Sequence, residues 1–143
     1  MSTISTIYKG DMEFEAIMGE HRLTVDVSPS RGGRGRGPRS TQLFAASLAS
    51  CVAVFVASYC ERNGLDATDL RVDLNYGEDD QEPTSLVDLE VVINLPHADV
   101  GDRLEAIRRV AEHCPVHETV EYSMKSIGFE VRDRATSATQ ASA

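Results

Sequence analysis

A chain of 143 residues, 41% hydrophobic and with a formal charge of −9, fits one domain with a modest core. The negative balance argues against nucleic acid or an anionic membrane as the main partner. Three cysteines, none in a C-x-x-C pair, argue against a disulfide scaffold or a zinc site and for a reducing, cytoplasmic setting, and Met1-Ser2-Thr3 does not open a signal peptide.

Residues 4–8 and 12–18 read as strands joined by Lys9-Gly10-Asp11, with Met12, Phe14, Ala16 and Met18 alternating against Glu13, Glu15 and Ile17. After Gly19-Glu20, Leu23, Val25 and Val27 continue the alternation, so three strands form an antiparallel meander. Residues 28–39 hold four glycines, two prolines and four arginines. They read as a solvated, flexible loop.

From Thr41 to Cys60 no residue is charged, in a chain where 26% are. The run is too long for a strand and contains neither Gly nor Pro. It predicts a helix apolar nearly all round and buried in a soluble core. Ser40 or Thr41 is its expected N-cap, and Gly64 suits the left-handed position after its end. Leu70, Val72, Leu74 and Tyr76 alternate in a fourth strand, and 86–95 form a fifth beyond an acidic turn. Val100, Leu104, Ile107, Ala111 and Cys114 then make one stripe of a second helix, which Pro115 ends. Residues 116–122 suit a short helical turn and 124–131 a last strand. The tail 135–143 has no apolar pattern and is expected to be disordered, leaving 1–134 as a single α+β domain. Two meanders and an all-apolar helix are much for so small a chain to cover. A tightly wound homodimer would cover them.

Cys60 follows Cys51 by nine residues on the first helix, on the opposite side and about 13 Å away, so those two cannot bond within one helix. Cys114 ends the stripe of the second helix and faces what that helix packs on. Cys51 and Cys114 can therefore meet, either as a redox pair or simply as small core residues. A reactive thiolate needs a cation. Arg22 and the loop arginines, including Arg31, are the candidates. His117, three residues after Cys114, suits a helix-end cap or a base. Cys60 reads as a structural thiol.

The segment Ser40-Thr41-Gln42-Leu43-Phe44-Ala45-Ala46-Ser47-Leu48-Ala49-Ser50-Cys51 resembles the P-x-E-L-L-L-A-A-L-A-G-C segment of the OsmC/Ohr family, the osmotically inducible protein C and organic hydroperoxide resistance proteins. Glu61-Arg62-Asn63-Gly64-Leu65, followed by Leu70-Arg71-Val72, is similar to the family's E-R-K-G … L-x-x-V continuation. Cys114-Pro115-Val116-His117-Glu118-Thr119-Val120 is similar to its second-cysteine segment, C-P-V-x-x-T-L. The match covers about residues 20–131.

The resemblance implies an OsmC-like fold: antiparallel sheets around a long central helix, in an intertwined homodimer with its sites at the interface. It implies a thiol peroxidase acting on organic hydroperoxides, with Cys51 peroxidatic and Cys114 resolving. An external dithiol of lipoyl type would be the reductant, and no metal or cofactor is needed. The family's peroxidases carry a Glu at the start of this helix that holds a catalytic Arg. Here Thr41 and Gln42 occupy that place, with Arg22 and Arg31 as the nearest counterparts to the Arg. A second reading follows from that departure: a family member without strong peroxidase activity, binding a small apolar or thiol ligand at the same interface.

Overall fold

The computed structural model of the chain describes residues 2–79, 85–123, 127 and 129–130. The expected meander is present: β1 (Ile4–Gly10), β2 (Glu13–Met18) and β3 (His21–Val25) pair antiparallel in that order. Asp11 and Met12 both take positive φ, 50° and 62°, at the first hairpin turn, the backbone twist that suits a tight hairpin. A second antiparallel sheet is formed by β4 (Arg71–Glu78) and β5 (Leu86–Asn94), with Arg71 opposite Asn94.

Between the sheets runs α1 (Ser40–Arg62). It ends as the sequence predicts: Gly64 has φ +68°, and the Leu65 N–H reaches back to the Cys60 carbonyl at 2.9 Å. That bond closes a Schellman motif, and Leu65 packs onto the core beside it. The start differs from expectation. The N-cap is Arg39, not Ser40 or Thr41. The Gln42 carboxamide accepts from the Arg39 N–H at 2.9 Å, and the Arg39 side chain pairs with Glu78. The long-range ion pair, which residue preferences at the cap cannot foresee, fixes where the helix begins.

Burial corrects a larger expectation. Only Ala45, Leu48, Val52, Val56 and Cys60 of α1 are buried, one stripe at helical spacing. Val54, on the far side, is 64% exposed. The core joins that stripe to Ile107, Ala111 and Cys114, with Val72, Leu74, Ile93 and Leu95 packed against them. Length and apolarity alone would let α1 cross a membrane. In the fold its buried stripe is the core.

The second predicted helix is a 3-10 turn, Gly101–Arg103, running into α2 (Leu104–Glu112). Ile107, Ala111 and Cys114 of the predicted stripe are buried, but Leu104 is 64% exposed. It stands at the helix's first position, ahead of the part that packs on α1. The chain then continues into α3 (Pro115–Glu118) and a π-helical turn, Thr119–Ser123. The predicted strand 124–131 and the tail 135–143 fall almost wholly outside the described residues.

The arginine-rich loop is not a loose solvated segment. Asp26, fully buried, accepts hydrogen bonds from the main-chain N–H groups of Val27, Arg34 and Arg36 and from the Arg36 guanidinium at 3.0 Å. Arg36 also pairs with Glu13 at 2.8 Å, and Arg34 with Asp11 at 2.8 Å. Burial pushes the Asp26 carboxyl up, but these donors outweigh it and hold the group at about 2.

Candidate functional site

Pro115 sets the geometry of the second cysteine. The residue before a proline is pushed out of helical conformation, and Cys114 accordingly has φ −75° and ψ 144°. Cys114 thereby leaves α2 and becomes the N-cap of α3, its sulfur accepting from the His117 N–H at 3.4 Å. The carbonyl end of α2 is capped by His113, whose ring nitrogen Nδ1 lies 2.8 Å from the Arg109 carbonyl oxygen. The helix-end cap is thus His113 rather than His117.

Cys114 is completely buried and Cys51 is half-buried on the flank of α1's core stripe. The two thiols are neighbours, close enough for Cys51 to act on Cys114, and both are free, as is Cys60. Burial pushes the Cys114 thiol up; the His117 N–H works against that, and the neighbouring Cys51 adds to it. Cys60 is also fully buried, and burial pushes its thiol up as well. A protonated thiol without solvent contact is a core residue.

A cavity of about 680 Å³ is lined by chain neighbours of both cysteines, though by neither cysteine itself. Its apolar wall includes Leu48 and Val52, which flank Cys51 on α1, with Ile93 and Ile107 opposite; Arg108, Glu112 and His117 supply its polar members. His117 places its Nε2 2.9 Å from the Glu121 carboxylate. Its other ring nitrogen, Nδ1, is buried without a hydrogen-bond partner. Among the described residues, no cluster of three or more His, Cys, Asp or Glu side chains is arranged to hold a metal.

The structure shows neither predicted cation, Arg22 or Arg31, in contact with the thiols of its own chain. Arg22 is exposed on β3 and paired with Glu15 at 3.2 Å. Arg31 lies in a 3-10 turn, Pro29–Arg31, and its charge acts on Glu78. Arg39 is bound by both oxygens of Glu78, at 2.7 and 3.3 Å. Arg39 holds the Glu78 carboxyl below the usual carboxylate range. Sequence spacing gave no signal for this pair, which joins a helix cap to a strand end. Thr41 and Gln42 stand on the first turn of α1, and Gln42 is engaged in the cap.

An α+β fold presenting two adjacent free thiols, one on a long helix and one at a Cys-Pro turn, defines a dithiol protein. The family model for the OsmC-like protein family matches residues 33–127, and the chain belongs to that family. A search of curated proteins finds no match. Among solved structures, the chain is similar to a Psychrobacter arcticus protein provisionally named for osmotic stress and detoxification response, at 20% identity and a TM-score of 0.75, covering 86% of this chain and 90% of that one. It is also similar to an OsmC-like protein from Mycoplasma pneumoniae, at 18% identity and a TM-score of 0.68, covering 85% and 88%. A Legionella pneumophila organic hydroperoxide resistance protein OsmC aligns at 17% identity and a TM-score of 0.61, covering 86% and 90%. These likenesses establish the OsmC-like fold. Membership in a family that includes hydroperoxide-reducing enzymes points to redox or hydroperoxide-related chemistry.

Proposed function

We propose that the protein is a two-cysteine hydroperoxide reductase, with Cys51 attacking the peroxide and Cys114 resolving. The observation that carries this reading is that the two free thiols are neighbours, with residues near each in the chain lining an apolar cavity. The half-buried Cys51 is the one a substrate reaches. As thiolate it attacks the O–O bond, releases an alcohol and becomes a sulfenic acid. Cys114 then displaces water to form the disulfide, which an external dithiol, of lipoyl type by family resemblance, reduces. The apolar wall favours an organic hydroperoxide over a small polar one. The free thiols accord with a reducing, cytoplasmic setting. After treatment with one equivalent of organic hydroperoxide, peptide mapping should find a Cys51–Cys114 disulfide at monomer mass, with Cys60 still a thiol. A dimer-mass band linked through Cys60, or Cys51 driven to sulfinic acid beside a reduced Cys114, would remove Cys114 from the resolving role.

The same reading includes a homodimer. The core that unites α1, α2, β4 and β5 contains no residue of the first sheet. Ile4, Ile7, Tyr8 and Met18 of that sheet are exposed, as are Phe44 and Val54 of α1. A three-stranded sheet needs an apolar face buried against something to be stable, and a second copy offers the matching surface. Arg39 precedes Cys51 by twelve residues on α1, roughly 18 Å at helical rise, so the Arg39–Glu78 pair acts on a thiol of the second copy. Sedimentation equilibrium should give twice the 15.6 kDa chain mass at micromolar concentration. A monomer there would leave the charge pair with no thiol to serve.

A further inference from the structure

We propose that His117 is the catalytic base of the resolving step and Glu121 the residue that positions it. The inference rests on Cys114 resolving Cys51. The buried Cys114 must lose its proton before it can attack, and burial together with its neighbour Cys51 opposes that loss. His117 stands next to that sulfur, with its main-chain N–H 3.4 Å from Sγ. Nδ1 is the ring nitrogen nearer its own main chain, and it is the buried one without a partner. Nε2 is held 2.9 Å from Glu121. A carboxylate on one imidazole nitrogen fixes the tautomer, orients the ring and stabilises the imidazolium, leaving the other nitrogen basic. Glu112, His113, Glu118 and Tyr122 line a second pocket with Glu121 on one side of His117, while Arg108 and Glu112 of α2 are its charged neighbours in the apolar cavity. The charged side chains around the ring are predominantly acidic.

In the proposed step the ring turns about its Glu121 contact to carry Nδ1 to the Cys114 thiol, which gives it the proton. The thiolate attacks the sulfur of the Cys51 sulfenic acid and the S–O bond breaks. The departing hydroxide takes the proton from Nδ1 and leaves as water. The pair of thiol and sulfenic acid becomes disulfide and water, and His117 and Glu121 are regenerated.

The test replaces peroxide with a chromophore. Ellman's reagent loads the accessible Cys51 as a mixed disulfide, and attack by Cys114 releases thionitrobenzoate, followed by stopped-flow absorbance between pH 5 and 9. In the wild type, release should rise with pH and level off as the base deprotonates. H117A should slow it on the order of 10²-fold, the usual scale for losing a general base, and free imidazole should restore much of the rate. E121Q should move the profile to lower pH with a smaller loss, because the imidazolium is less stabilised. Wild-type rates and profile in H117A overturn the proposal. So does a loss that imidazole does not restore and that leaves the shape of the profile intact, since that marks a structural role. A wild type that releases the chromophore but does not consume hydroperoxide would sink the peroxidase reading and leave the relay standing.

Discussion

Replacing Cys51 by serine should reduce the consumption of an organic hydroperoxide, with a dithiol present, by at least about 10³-fold, the order expected when a covalent nucleophile is removed. The contact geometry gives Cys51 no substitute. Cys114 is sealed from solvent with its thiol pushed up, and Cys60 is sealed in the core. C114S should behave differently. It should consume one equivalent, then stall with Cys51 as sulfenic acid, trappable by dimedone, until a small thiol rescues it. R39Q should retain the nucleophile but lose the cation, slowing the reaction by roughly 10²-fold, the scale for one preorganised electrostatic donor. Equal turnover by C51S and the wild type would end the peroxidase reading and favour the ligand-binding alternative.

The parts of this molecule that were legible in the sequence are those fixed by local pattern. The charge-free run from Thr41 to Cys60 marks α1 within two residues at each end, and Gly64 marks its stop. Period-two alternation finds all five described strands. Pro115 and the stripe through Ile107 and Ala111 aim Cys114 at α1, and the thiols do meet. What escaped reading is set by partners far apart along the chain. The Arg39–Glu78 pair spans 39 residues, and it displaces the expected N-cap while supplying a charge pair that Thr41 and Gln42 cannot. The buried Asp26 looked like one polar residue in an alternating strand, yet it organises ten residues of loop through Arg36. Apolarity all round α1 led to the expectation of burial all round, whereas the chain buries only one stripe. The rest of its apolar surface is what the proposed dimer would cover.

Gly37→Ala should destabilise the protein by about 1–3 kcal/mol, the usual range for a forced overpacking, and lower its melting temperature by roughly 3–10 °C for a chain of this size. The cause is backbone, not conformational freedom: a Cβ at Gly37 meets the Thr24 carbonyl group, and one at Gly33 meets the Val27 carbonyl oxygen and the Asp26 carboxylate. The carbonyl atoms are main chain and the Asp26 carboxylate is held by its donors, so the strand or the loop must shift. The Asp26 N–H to Pro38 carbonyl bond would then open and loosen the approach to Arg39, the first step of α1. The same loop carries a pH signature. Asp26 titrates at about 2 in the folded chain against 3.8 ordinarily, so its contribution is present above pH 4 and is lost as pH falls through about 2. Stability measured by thermal unfolding between pH 7 and 2.5 should therefore fall less steeply in D26N than in the wild type, while D26N should already be the less stable of the two at pH 7, because Arg36 loses its charged partner. Parallel pH curves for the two proteins, or a Gly37→Ala variant that melts with the wild type, would show that the loop is not organised by this carboxylate.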